Sequence, residues 1–327
     1  MPDNFITDWS DIAFGSKKAV RNLKATFIAA PRELSTERLI QLIKLFLPDG
    51  NIVLGISKEP YVSGFENQPQ FRMLKLQDVQ GTITKVNSAK LPAKVHVLEY
   101  SQRELPFILE KLTFKRVILI NGSWKYSFHT LPAFYELAKQ RIIPEYLSPF
   151  CDELEAQEYA KRLDKEIQKR LSLPVNSTQI FSQEQMLELA SRSAEQSYDN
   201  ASQTGAAIGK PKGKGYQLLQ TAYNQVVPYP TFAMHHGASR EQHMSPPNDL
   251  NHYDTVHAEV QGIMNSLAAG IKLQGTTLFI NVLPCPVCCR VIIKSGISEV
   301  VYQLDHSDGY AVTMLGKANI AVRRLVL

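Results

Sequence analysis

Apolar and polar positions in the first half of the chain change period repeatedly. Residues 24–29, 51–57, 95–100 and 116–120 are β-branched or apolar runs of strand length, while 36–46, 102–111 and 131–140 repeat apolar residues at helical intervals. Parallel strands need long crossovers, so this alternation predicts a Rossmann-like α/β domain, a parallel sheet with helices on its faces. Residues 151–170 begin acidic and end basic, which suits the helix dipole and predicts a long amphipathic helix. The turn-forming stretch 172–178 follows it. The domain break is therefore expected at 171–180, with one domain over 1–175 and another over 176–327.

The second half reads helix (182–197), strand (203–209), a Gly/Lys turn (210–215) and strand (216–223). A segment without period, 224–255, comes next and is rich in Pro, Asn, Ser and His; irregular segments of that length are usually functional or disordered. Helix (256–269), strand (276–283), helix (285–295), strand (299–302), helix (309–317) and strand (320–325) complete the pattern.

Composition narrows the class. The 327 residues suffice for two domains, and 44% hydrophobic with 20% charged residues is globular, which excludes disorder and fibrous repeats. The longest strongly apolar stretches, 39–47 and 276–284, fall short of the roughly 18–20 residues a membrane helix needs. Residues 1–14 carry acids early and lack a basic start followed by an apolar core, so no secretory signal is expected and a cytoplasmic location is. The net charge of +5 is uneven: 1–180 hold 25 basic and 20 acidic side chains, 181–327 hold 11 of each. Any polynucleotide contact would have to rely on the first half. Four cysteines are too few for a disulfide scaffold, and three of them cluster at Cys285, Cys288 and Cys289.

That cluster carries the chemistry. His257-Ala258-Glu259 is followed, 28 positions after the histidine, by Pro284-Cys285-Pro286-Val287-Cys288. Order and spacing match the H-x-E…P-C-x-x-C signature of zinc deaminases. If His257 opens a helix of about 12 residues, the chain travels about 18 Å out, and a strand of about 8 residues returns about 26 Å, so His257 and Cys285 can meet at one sheet edge. Cys285 and Cys288, three apart at a helix start, share a face where unpaired N–H groups favour thiolates. One imidazole and two thiolates leave the fourth position of a tetrahedral zinc, one per chain, to water, as in a catalytic site. Zinc lowers the pKa of that water, and Glu259 is placed to take its proton, protonate a ring nitrogen and help expel ammonia. Stabilisation of the helix start is the other reading of Glu259. Cys289 points away and is expected inside as a small hydrophobe; the solitary Cys151 is expected to be a buried structural thiol.

The stretch 182–325 resembles the cytidine and deoxycytidylate deaminase superfamily. HAEVQGIM, TTLFINVLPCPVCCRVIIKSGISEVVY and MLGKANIAVRRL are most similar to the deoxycytidylate branch. The resemblance implies a cytidine-deaminase-like α/β/α domain with a mixed sheet, zinc on His257, Cys285 and Cys288, and Glu259 as proton shuttle. It implies a free pyrimidine nucleotide as substrate, dCMP-like, deaminated to the uracil nucleotide. Tyr223-Asn224 is similar to the family's Gly-Tyr-Asn-Gly turn, which makes Asn224 a substrate contact by analogy; a purely conformational turn asparagine is the alternative. Thr204-Gly205-Ala206 looks like the strand against which the pyrimidine lies. Ala258 counts with these contacts, and the backbone carbonyl near Leu283 would accept the exocyclic amine. Gln225 replaces the family's glycine and Gln261 its frequent asparagine, departures that bear on the substrate rather than the zinc. Relatives usually assemble, so a homo-oligomer is implied.

Four histidines in the irregular segment, His235, His236, His243 and His252, admit a second zinc or a set of solvated loop side chains. Arg240 among them is a candidate phosphate contact. The first half has neither G-x-x-x-x-G-K-[ST] nor G-x-G-x-x-G. A ligand of its sheet would sit beyond the strand ends, at Ser57-Lys58 and Asn121-Gly122-Ser123, unless the domain is a scaffold. Two rivals to a small-substrate deaminase stand beside it: a polynucleotide-editing deaminase using the basic first half, and a nucleotide-sensing regulatory protein on the same fold.

Overall fold

The computed structural model describes residues 5–15, 19–174, 179–246, 249, 251–306 and 309–326. The chain divides into two compact units, Met1–Ala160 with Thr231–Tyr253, and Lys161–Pro230 with Asp254–Leu327. The division falls inside a helix rather than at the expected break of 171–180; residues 175–178 of that stretch lie outside the described residues. No helix among the described residues is long and apolar enough to cross a membrane.

The first unit contains β1 (Ile6–Asp8), α1 (Trp9–Ala13), β2 (Val20–Ala29), α2 (Thr36–Phe46), β3 (Asn51–Ser57), α3 (Leu76–Ser88), β4 (Val95–Tyr100), α4 (Leu105–Lys111), β5 (Leu112–Ile120), α5 (Pro132–Lys139), β6 (Glu145–Leu147) and the start of α6 (Glu153–Leu171). Its sheet has the order β1-β4-β3-β2-β5-β6, and every pairing is parallel. The chain leaves the central β2 for β3 and β4 on one side, then returns to β5 and β6 on the other. Ser35 caps α2 by accepting from Arg38 N. Leu39, Leu42, Ile43 and Phe46 of α2 then pack, with Val79 and Ile83 of α3, on Ile28, Ile52, Leu54 and Ile118. The opposite face takes Ile108, Leu109, Ala133 and Leu137 against Phe27, Leu98 and Val117. Each such fully buried aliphatic contributes roughly 1.5–3 kcal/mol, so both faces of the sheet are covered.

The second unit contains the rest of α6, then β7 (Ile180–Phe181), α7 (Gln183–Ala194), β8 (Gly205–Lys212), β9 (Gly215–Tyr223) and β10 (Gln225–Val226). Next come α8 (Phe232–His236) and α9 (Ser239–Gln242), which belong to the first unit, and then β11 (Thr255–Val256), α10 (Ala258–Ala268), β12 (Thr277–Val282), α11 (Pro286–Ser295), β13 (Glu299–Leu304), α12 (Tyr310–Lys317) and β14 (Ala321–Arg324). The sheet order is β14-β13-β12-β8-β9-β7. β12, β13 and β14 run parallel, while β8, β9 and β7 add antiparallel, so the sheet is mixed. Ile263, Cys289, Ile292, Ala311 and Leu315 bring α10, α11 and α12 onto one face. Met186, Leu187 and Ala190 of α7 cover the other.

Contact between α7 and β8 is close enough to demand glycine. A Cβ on Gly205 would stand 2.1 Å from the Ala190 carbonyl oxygen and 2.4 Å from the Ala194 nitrogen. Gly205→Ala is expected to cost about 3 kcal/mol, read as a lower urea midpoint, because two backbone segments must separate.

The segment 231–253 is not a free loop. Trp124 Nε1 and Phe128 N both donate to Glu241 Oε1, at 2.6 and 2.9 Å. Thr231 Oγ1 donates to Ala156 O at 2.7 Å, and His129 Nε2 meets Ser245 O at 2.8 Å. Glu241→Ala strips the acceptor from two N–H groups and is expected to cost about 3 kcal/mol. Faster proteolytic nicking inside 231–253, with cleavage elsewhere unchanged, is the readout.

Candidate metal centre and catalytic site

Two helix starts meet at the sheet edge of the second unit. His257 follows β11 and is the N-cap of α10, with an extended backbone (φ −66°, ψ 151°). Cys285 is the N-cap of α11, its Sγ accepting from Cys288 N at 3.5 Å, and Pro286 supplies the fixed φ of the first turn. Strand β12 carries the chain back from the far end of α10, which is what brings residues 28 positions apart together.

His257 Nδ1 stands 3.6 Å from Cys285 Sγ and 3.3 Å from Cys288 Sγ. All three ligand atoms lie within 4.8 Å of one another, the group of this kind found among the described residues. A tetrahedral zinc with bonds of about 2.0 Å to nitrogen and 2.3 Å to sulfur sets its nitrogen and sulfur ligands about 3.6 Å apart. The three donors therefore fit zinc by spacing and by chemistry. A hydrogen bond from Cys288 pulls the Cys285 thiol down to about 4, and that bond, with burial, pushes Cys288 up. The imidazole of His257 is raised mainly by its bond to Cys285.

Glu259 lies in the first turn of α10, 3% exposed. Burial raises its carboxyl pKa. Oε2 is buried with no hydrogen-bond partner. A buried carboxyl oxygen left so calls for a partner in water, an ion or a ligand.

The residues expected to hold the base are placed as follows. Gly205 and Ala206 open β8, opposite Tyr223 and Ala222. Asn224 is committed to the loop before that strand: Oδ1 accepts from Thr204 N at 2.8 Å, and Nδ2 donates to Ser202 O at 2.8 Å and Asp199 Oδ2 at 3.1 Å. Ala258 and Leu283 are buried in the core under the sheet, at 0% and 1% exposure, so only their backbone groups can face a ligand. Arg240 belongs to the first unit, where it donates to the His252 and Asp249 carbonyls and lies 4.7 Å from the Tyr253 ring centroid. Its guanidinium is engaged by its own loop.

Other expectations sort themselves. Cys289 is fully buried beside the Pro284 carbonyl, whereas Cys151 is only partly buried, its expected interior position being a correction. His235 meets Ser148, and His252 meets Asp249 and Ser245, each near 2.7–2.8 Å. Sequence reasoning missed Asn281, whose Oδ1 accepts from Gly205 N at 2.9 Å and whose Nδ2 donates to Gln203 O at 3.0 Å. A lone asparagine inside an apolar strand was the available signal. Asp199 was missed too; it acts electrostatically on His257 and holds Asn224, and nothing local marks it.

Residues 181–327 match the family described as MafB19-like deaminase. The C-terminal half of the chain is a domain of the cytidine and deoxycytidylate deaminase superfamily. It is 33% identical over 119 residues to a probable deoxycytidylate deaminase of Drosophila melanogaster, covering 36% of this chain and 56% of that protein. With the deoxycytidylate deaminase of Pongo abelii it shares 31% over 127 residues, 37% of this chain and 64% of the relative. A dCMP deaminase structure from the cyanophage S-TIM5, in apo form, is similar at 17% identity and a TM-score of 0.32, covering 44% of this chain and 96% of that one. The chain thus spans 56% and 64% of the length of these two curated relatives.

Proposed function

We propose that the protein hydrolytically deaminates the cytosine of a free nucleotide, dCMP-like, to the uracil nucleotide. His257, Cys285 and Cys288 would hold one zinc. When bound, that ion supplies the Lewis acidity that brings the pKa of water toward neutrality. Glu259 then moves protons: its carboxylate takes one from the attacking water, delivers it to the ring nitrogen, and next assists the departing C4 amine. C4 loses ammonia and gains oxygen, so water and substrate account for every atom. The buried, partnerless Glu259 oxygen beside three metal-spaced donors is the observation that carries this reading.

A small substrate is favoured by the neutral balance of residues 181–327, 11 basic against 11 acidic, since a strand-binding surface normally carries excess positive charge. The named activity of the two curated relatives points to deoxycytidylate. The test is ammonia release from dCMP, CMP, dCTP, cytidine and a cytosine-containing single strand. Turnover of dCMP above the others supports the proposal; turnover of the strand alone, or of none, rejects it.

A further inference from the structure

The first unit has a cavity of its own, about 480 Å³, and it lies where the strand order turns. Ala29 and Ala30 at the end of β2, Leu119 and Ser123 at the end of β5, and Tyr100 closing β4 all line it. In open parallel sheets the crevice beyond the carboxyl ends at such a reversal is where ligands bind. Ser123 was among the residues expected there, whereas Lys58 is paired with Asp8 at 2.7 Å and does not line this cavity.

Its chemistry is specific. Much of the wall is apolar or aromatic, with Leu105, Trp124, Phe128 and Leu131. The charged residues among the lining are Arg103 and Lys125, with no aspartate or glutamate. The Lys125 ammonium lies over the rings of Phe65 and Tyr126, at 5.3 and 5.4 Å, and makes no ion pair among the described residues. Glu66 feels it only through space. Tyr100 is 1% exposed; its oxygen accepts from Ala30 N at 2.9 Å, and its own proton has no acceptor among the described residues. Room for that ring is kept by Gly55, where a Cβ would stand 2.8 Å from Tyr100 Cε1. A buried donor and an unpaired cation call for a charged acceptor, and the aromatic wall for a flat apolar body. The volume and the missing glycine-rich phosphate loop exclude a dinucleotide.

We propose that this cavity binds a small aromatic organic anion, its carboxylate or sulfonate head near Lys125 and Tyr100 and its ring among Trp124, Phe128 and Leu131. The site is separate from the deaminase centre and does not depend on that reading.

The probe is 1-anilinonaphthalene-8-sulfonate, titrated by fluorescence into the full chain, with uncharged N-phenyl-1-naphthylamine as control. Saturation at one equivalent is expected, with the sulfonate binding more tightly than the amine. Lys125→Gln should weaken the sulfonate about tenfold and leave the amine unchanged, while Lys125→Arg restores it. Leu105→Trp, which adds an indole at the half-buried wall, should exclude both probes without lowering the melting temperature. Excess dCMP should displace neither. Unsaturable binding, equal affinity for the two probes, indifference to Lys125→Gln, or displacement by dCMP would each overturn the proposal.

Discussion

Glu259→Gln is expected to lower kcat by about 10³-fold or more while the protein keeps one zinc per chain. The isosteric amide fills the same buried volume but cannot accept a proton, so binding of nucleotide should persist when turnover is gone. Stability supplies a second sign. Burial raises the Glu259 carboxyl pKa above its unfolded value, so folding loses free energy as pH rises from the unfolded pKa toward the folded one. In metal-free protein the amide variant should therefore melt higher than wild type at pH 7, with the gap closing as pH falls. Loss of zinc from the variant, or a melting temperature below wild type at every pH, would assign Glu259 a structural part instead.

Cys285→Ala is expected to abolish zinc binding and activity together, taking metal content to about a tenth of wild type or less, since two protein donors hold zinc poorly. It also removes the acceptor for Cys288 N at the start of α11, so the melting temperature should fall even in chelator. Cys289→Ala is the matched control: its sulfur is buried four positions along the chain but packs in the core, so zinc should stay and stability should drop by about 1 kcal/mol. Metal analysis and thermal melts on the two variants, with and without chelator, separate ligation from packing. Equal zinc content in both would exclude Cys285 from the metal centre.

The site was legible because its chemistry is local. His257 and Glu259 share one helix turn, Cys285 and Cys288 another, and hydrophobic period alone set the strand that reunites them. Elements with a weak period escaped notice. α3 places Leu76, Val79, Ile83 and Val86 at helical intervals, but polar residues and Gly81 fill the positions between them, so its apolar stripe is a single row. β1 and β6 are three-residue edge strands, too short to show alternation.

What the amino-acid order determined by itself was the two α/β halves, the mixed character of the second, and the three metal-spaced donors with the acid beside them, for which we propose the metal and proton-carrying roles. Only the tertiary structure decided where 231–253 belongs, since Glu241 finds Trp124 and Phe128 more than a hundred residues away, and no local pattern encodes such a partner. It also engaged the Asn224 side chain with residues 199–204 and the Arg240 side chain within its own loop. A hydrogen bond between distant residues is chosen by the geometry of the whole fold, whereas a helix turn is chosen by the few residues within it.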